Sequence, residues 1–246
     1  MLSADDGAST DIVVLCNDEV QFTGTVVCDT SKPLVQVDYS ISQNPTDSGT
    51  ITATVTDANL DASASYAQLL DESGNRAGNQ YPIGSDGKAT IDLSAVADGM
   101  YSGVFVYAID AIGEDHAVET SDMQSFEVDK TAPEIVARYY KVTYDFLGHA
   151  WRTELNGAPE NINYELEVVI TIKDPNFSAA YSDEEPPALI NPLISGADEI
   201  SDVIDNGDGT YTVTATYQKP DWKQGKKSIS LTVTATDTVG NKKVEN

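Results

Sequence analysis

Thr50-Ile-Thr-Ala-Thr-Val-Thr56, Tyr211-Thr-Val-Thr-Ala-Thr-Tyr217 and Ser228-Ile-Ser-Leu-Thr-Val-Thr-Ala235 share one pattern. Larger apolar residues alternate with hydroxyl-bearing ones, so an extended run can bury one face and solvate the other. Thr, Val, Ile and Tyr suit this half-buried pleated surface. Stretches with helical periodicity are nearly absent. Between the runs stand turn signals such as Ser73-Gly74-Asn75, Ser85-Asp86-Gly87 and Asn206-Gly207-Asp208-Gly209. A sheet with one apolar face must cover it with another layer. The pattern therefore predicts an all-β chain of antiparallel sandwiches.

A repeat divides the chain. Asp29-Thr-Ser-Lys-Pro33-Leu-Val35 matches Asp129-Lys-Thr-Ala-Pro133-Glu-Ile135, with the two prolines 100 residues apart. Val55-Thr-Asp57-Ala-Asn59-Leu60 matches Ile172-Lys-Asp174-Pro-Asn176-Phe177. Val106-Tyr-Ala-Ile-Asp110-Ala-Ile-Gly113 matches Val233-Thr-Ala-Thr-Asp237-Thr-Val-Gly240-Asn241. Three matches in the same order indicate two copies of one domain, placed at 31–130 and 131–246, after an N-terminal segment 1–30. Proline lacks an N–H and fixes φ, so the Pro-bearing segments read as stiff joints or strand entries.

The first copy predicts strands near 34–41, 50–57, 66–71, 79–83, 88–93, 100–110 and 118–128. The second is less regular. Its 184–204 stretch reads as a long loop with a helical turn, and its final strand is expected to be missing. Residues 12–28 read as tail strands of a preceding copy that pack on the first domain.

These motifs resemble the immunoglobulin-like repeats strung along large surface proteins of Gram-positive bacteria. Such units typically open with D-x-T-x-P, carry a D-x-N-F turn and close with T-D-x-x-G-N. The fullest instances here are Asp129-Lys-Thr-Ala-Pro133, Asp174-Pro-Asn176-Phe177 and Thr236-Asp237-Thr-Val-Gly240-Asn241. The first copy departs from the closing motif with Gly113-Glu114 and shifts the Thr of the opening one. The resemblance covers roughly 29–246 and implies tandem immunoglobulin-like β-sandwiches of the ~100-residue type. It also implies an extracellular, cell-surface or cell-wall location and a non-catalytic role as adhesin, stalk or spacer. The alternative function is a carbohydrate- or protein-binding module of a larger secreted enzyme.

Charge narrows the partners. Fourteen Lys and Arg stand against forty Asp and Glu, a net charge of -26. A polyanion repels nucleic-acid phosphates and anionic lipid, so neither nucleic acid nor membrane insertion is expected. The expected partners are neighbouring repeats of the same chain and a host glycan or matrix protein, with the chain itself a monomer. Six of the basic residues, Lys219, Lys223, Lys226, Lys227, Lys242 and Lys243, crowd the last 28 positions and read as guards of an exposed sheet edge. The start, Met1-Leu2-Ser3-Ala4-Asp5, has no basic and apolar signal regions. The end, Lys242-Lys243-Val244-Glu245-Asn246, has no anchor. Both ends read as cut from something longer.

Little in the sequence promises catalysis, and no enzyme activity is expected. His116 and His149 are isolated, and there is no HExxH, P-loop or GxGxxG. Calcium is the one cofactor considered, against none at all. Asp205 and Asp208 crowd hard oxygens into one turn, although the same Asn-Gly and Asp-Gly steps suit a plain hairpin. Asp57 with Asn59, and Asp174 with Asn176, form a second candidate set that turn-capping explains as well. Cys16 and Cys28 would bridge if a hairpin set them opposite each other. Trp222, in a polar loop, is the candidate for stacking on a sugar, and Trp151 is weighed between core and platform. Lys173, Lys141 and Asn241 are conceivable partners in an isopeptide bond if buried.

Overall fold

A computed structural model describes residues 8–246 except 18, 222 and 224. The chain is all-β and divides into two compact units, Met1–Asp129 and Lys130–Asn246. Unit 1 contains β1 (Ser9–Cys16), β2 (Glu19–Val27), β3 (Leu34–Ser40), β4 (Thr50–Thr56) and β5 (Tyr66–Asp71). It continues through β6 (Arg76–Pro82), β7 (Lys88–Asp92), β8 (Gly99–Ala108), β9 (Val118–Asp122) and β10 (Phe126–Val128). Unit 2 contains β11 (Glu134–Tyr144), β12 (Ala150–Glu154), β13 (Asn161–Ile162), β14 (Glu165–Lys173), β15 (Ala180–Tyr181) and β16 (Leu189–Asn191). It ends with β17 (Leu193–Ser195), β18 (Glu199–Ile200), β19 (Ile204–Asp205), β20 (Thr210–Tyr217), β21 (Lys227–Ser228), β22 (Thr232–Thr236) and β23 (Lys242–Glu245).

Unit 1 is built on two antiparallel sheets. One has the order β3-β4-β7; the other runs β10-β8-β5-β6, with β9 also on β8. The Thr50–Thr56 alternation sends Ile51, Ala53 and Val55 inward and the threonines outward. These side chains and Ile91 meet Ala67, Leu69, Val104, Val106 and Phe126 in one core. Full burial of an aliphatic side chain of this size stabilises by roughly 1.5–3 kcal/mol, which is what holds the layers together.

Unit 2 repeats the scheme with a larger sheet, β12-β11-β14-β20-β18, with β19 on β20, and a smaller one, β17-β22-β23. On β14 Leu166, Val168, Ile170 and Ile172 alternate inward, and they pack with Val213, Ala215, Tyr217, Ile194, Val233 and Ala235. Buried Tyr217 keeps its phenol satisfied by donating to the Ser230 carbonyl at 2.8 Å. Removal from water raises its pKa from 10 to about 12.

Several expectations need correction. The 184–204 stretch has no helical turn; the short strands β16, β17 and β18 interrupt the loop, because apolar pairs such as Leu189–Ile190 and Leu193–Ile194 find strand partners. The second unit does have a last strand: the turn through Asp237 and Gly240 returns β23 onto β22. The hairpin β1–β2 joins neither sheet of the first domain. It forms a sheet of two strands, and Ile12, Val14, Phe22 and Val26 stay exposed. The cysteines do not face each other either. Register pairs Cys16 with Glu19 at the hairpin turn, whereas Cys28 lies beyond the opposite end, its N–H donating to Ala8 O. No disulfide joins them.

One glycine is fixed by close approach. Gly103 in β8 has φ +153°, and a Cβ there would stand 1.9 Å from the Asp122 carbonyl oxygen. Gly103→Ala is expected to cost unit 1 about 1–3 kcal/mol in denaturant unfolding, because strand β9 must move to admit the methyl group. Tyr217→Phe tests the second core. The folded phenol holds its proton above the unfolded value, so its stabilisation is complete below pH 10 and disappears as pH rises toward about 12. The variant should lose about 1 kcal/mol at neutral pH and lose that share of the alkaline destabilisation, read by melting at stepped pH.

Candidate functional site

Two of the three repeated motifs meet at one place in each unit, and backbone geometry brings them there. In unit 1, Leu60 follows β4 of one sheet and Asp110 follows β8 of the other, and the two form an isolated antiparallel bridge. Asp61 N donates to Ile109 O and Ala111 N to Asn59 O, each at 2.9 Å. In unit 2 the equivalent bridge joins Phe177, after β14, to Asp237, after β22, and Thr238 N donates to Asn176 O at 3.0 Å. The D-x-N and D-x-x-G turns therefore stitch the two sheets of each unit together at one end.

The aspartates build these turns locally. Asp57 Oδ1 accepts from Asn59 N at 2.7 Å, and Asp174 Oδ1 accepts from Asn176 N at 2.6 Å. Asp237 Oδ1 gathers three backbone donors, Val239 N, Gly240 N and Asn241 N, at 2.7–2.9 Å. Its Oδ2 accepts from the Asn241 amide at 2.9 Å. Asp110 Oδ1 accepts from Ile112 N at 2.8 Å, and its Oδ2 lies 2.7 Å from His116 Nδ1. Where the first copy lacks the closing Asn, a short 3₁₀ turn at Glu114–His116 delivers an imidazole to the same carboxylate oxygen.

Two sets of ligand atoms result. Asp29, Asp110 and His116 in unit 1 offer atoms within 4.8 Å of one another, Asp110 being buried and the other two partly buried. Asn59 bridges to this set, donating its amide to Asp29 Oδ2 at 2.9 Å. In unit 2 the buried carboxylates of Asp174 and Asp237 approach within 4.8 Å. Asp129, the sequence counterpart of Asp29, is the last residue of unit 1 and is buried, with its N–H on Thr46 O. Clustered carboxylate oxygens are what a hard divalent cation such as calcium takes. The imidazole of His116 gives the first set a nitrogen that a transition metal also accepts.

The other sequence candidates are placed as follows. Asp205 Oδ1 accepts from Gly207 N and Asp208 Oδ1 from Thr210 N, while Asn206 N bonds Thr210 O; they shape the β19–β20 hairpin. Neither belongs to a metal-competent group among the described residues. His149 caps its own turn through Asp145, Nδ1 to Oδ2 at 2.8 Å, and the bonds from the His149 N–H and ring hold the Asp145 carboxyl below the usual range. Trp151 is 64 % exposed and outside the core. Trp222 lies outside the described residues. The isopeptide grouping is not assembled: Lys173 is exposed, Lys141 sits 5.1 Å over the Tyr164 ring, and the Asn241 amide is on Asp237.

Sequence reasoning named Asp57, Asn59, Asp174 and Asn176 but missed Asp29, Asp110, His116 and Asp237, whose side-chain atoms the fold brings into these sets. The signal was present, since each of the three repeated motifs carries an aspartate at the same place in both copies. No family model matches the chain, and the search of curated proteins found no match.

The oxygen sets predict that calcium raises the melting temperature and EDTA lowers it, by up to about 2.7 kcal/mol equivalent at a hundredfold excess over Kd. Asp110→Asn should remove the unit 1 part of that shift. Identical melts in calcium and EDTA would remove the cation from the account.

Proposed function

We propose that this chain is a non-catalytic structural and adhesive segment of a bacterial cell-surface protein, built of tandem immunoglobulin-like repeats that act as a stalk or spacer. The observation that carries the reading is that two aspartate-bearing motifs, D-x-N and D-x-x-G, recur in both units and make the same stitch between sheets. A repeat that preserves its end-stitch while its loops and strand lengths vary is selected for being stacked, not for one reactive pocket. The Pro-bearing joints at Pro33 and Pro133 and the net charge of -26 suit an extended, soluble, extracellular chain.

The alternative, a carbohydrate-binding module, would need coplanar exposed aromatics. Trp151 and Tyr144 are both exposed, but they stand on opposite faces of the β11–β12 hairpin, because Trp151 pairs with Thr143 and Tyr144 with Ala150. That hairpin supplies no flat platform.

Small-angle scattering tests the spacer reading. A compact globule of this length has a radius of gyration of about 18 Å, and the stalk predicts a value well above it. A radius near the globular one would sink the proposal. On an array of glycans and matrix proteins, a saturable hit abolished by Trp222→Ala would instead establish the binding-module reading.

A further inference from the structure

We propose that the edge strand β12 is a homotypic docking site, pairing antiparallel with β12 of a second copy of the chain in one register. β12 ends the order β12-β11-β14-β20-β18, and each of its five residues is exposed. Its inner row of backbone bonds falls on the odd-numbered residues. Asp145 N donates to His149 O at one end of the hairpin and Leu155 N to Tyr139 O at the other, and the register between them pairs Trp151 with Thr143 and Thr153 with Lys141. In an antiparallel ladder the bonded pairs alternate. The N–H and C=O groups of Ala150, Arg152 and Glu154 therefore point away from β11, toward whatever lies beyond the edge.

That parity limits how two copies can pair. Bonded pairs must join even-numbered residues to even-numbered ones, and a two-fold axis makes the contact self-complementary. If the axis passes at Arg152, two guanidinium-bearing side chains face each other, and like charges directly opposite destabilise. If it passes at Trp151, Arg152 faces Ala150 and Glu154 overhangs. With the axis at Thr153, each Arg152 stands opposite the Glu154 of the other copy, twice over. On the opposite face of the same register, exposed Trp151 comes beside partly buried Leu155, and Thr153 meets Thr153. Arg152 also pairs with Glu167 on its own sheet, so the new contact extends a row of alternating charge, Glu167–Arg152–Glu154. The edge carries neither proline nor lysine in the strand, the usual devices against such pairing.

Charge complementarity thus selects a second copy as the occupant and fixes the register. The test uses the whole chain in sedimentation velocity over a concentration series, with Trp151 fluorescence read alongside. Wild type should self-associate, with a blue shift of the Trp151 emission measured in a Trp222→Phe background. Glu154→Lys alone and Arg152→Glu alone each put like charges opposite one another, and each should weaken association on the order of tenfold. Mixing the two variants restores both opposite-charge pairs, so the mixture should associate at wild-type strength. The melting temperature of each variant alone checks that its fold is kept, a point that matters most for Arg152→Glu, which loses Glu167. Wild type that stays monomeric at every concentration, or a mixture no stronger than its components, would overturn the proposal.

Discussion

The stitch between the two sheets is the constraint on which each unit depends. Two stacked sheets are held mainly by non-directional burial, which sets no register between one layer and the other. The Leu60–Asp110 and Phe177–Asp237 bridges add directional backbone bonds between strands of different sheets. They fix where β4 ends against β8, and β14 against β22. Phe177, fully inside, also packs edge-on to Tyr211 at 4.9 Å, so the stitch is anchored to the core it registers. Everything at that end, from the Asx turns to the carboxylate sets, follows from this placement.

Much of the acidity that dominates the composition is turn chemistry. Asp57, Asp61, Asp71, Asp86, Asp92, Asp145, Asp174, Asp205, Asp208 and Asp237 each accept the backbone N–H two residues on. A short carboxylate closes such a turn on itself and spares the strand ends from needing other partners. The bonds favour the ionised form: Ser63 holds the Asp61 carboxyl low, and Asn75 does so for Asp71. A chain of many hairpins thus accumulates negative charge as a by-product of making its turns.

The two units solve one local problem differently. The second copy gives the Asp237 carboxylate an amide from Asn241, four residues on, and the first gives Asp110 an imidazole from His116, six residues on. In each unit the carboxylate oxygen has a side-chain partner, reached at a different position in the chain. Both arrangements satisfy a buried carboxylate, which is costly to leave unpaired.

Strand identity was written locally. The alternation in Thr50–Thr56, Glu165–Lys173 and Thr210–Tyr217 dictates which side chains turn inward, because the period of a strand leaves no other choice. The repeat likewise marked the aspartates that matter, by position in the motif. Partnership was not local. Whether Cys16 meets Cys28, whether Trp151 is buried, and whether 184–204 forms strands depend on which segments pair, and a strand pattern does not name its neighbour. His116 illustrates the limit: nothing in Gly113-Glu114-Asp115-His116 announces a partner for Asp110 until a 3₁₀ turn folds the ring back. The sequence by itself determined the regular alternating strands, their buried faces and the turns that separate them, through periodicity and backbone chemistry. The tertiary structure decided which turns meet across the sheets, since contacts distant in sequence are set by packing the whole core at once.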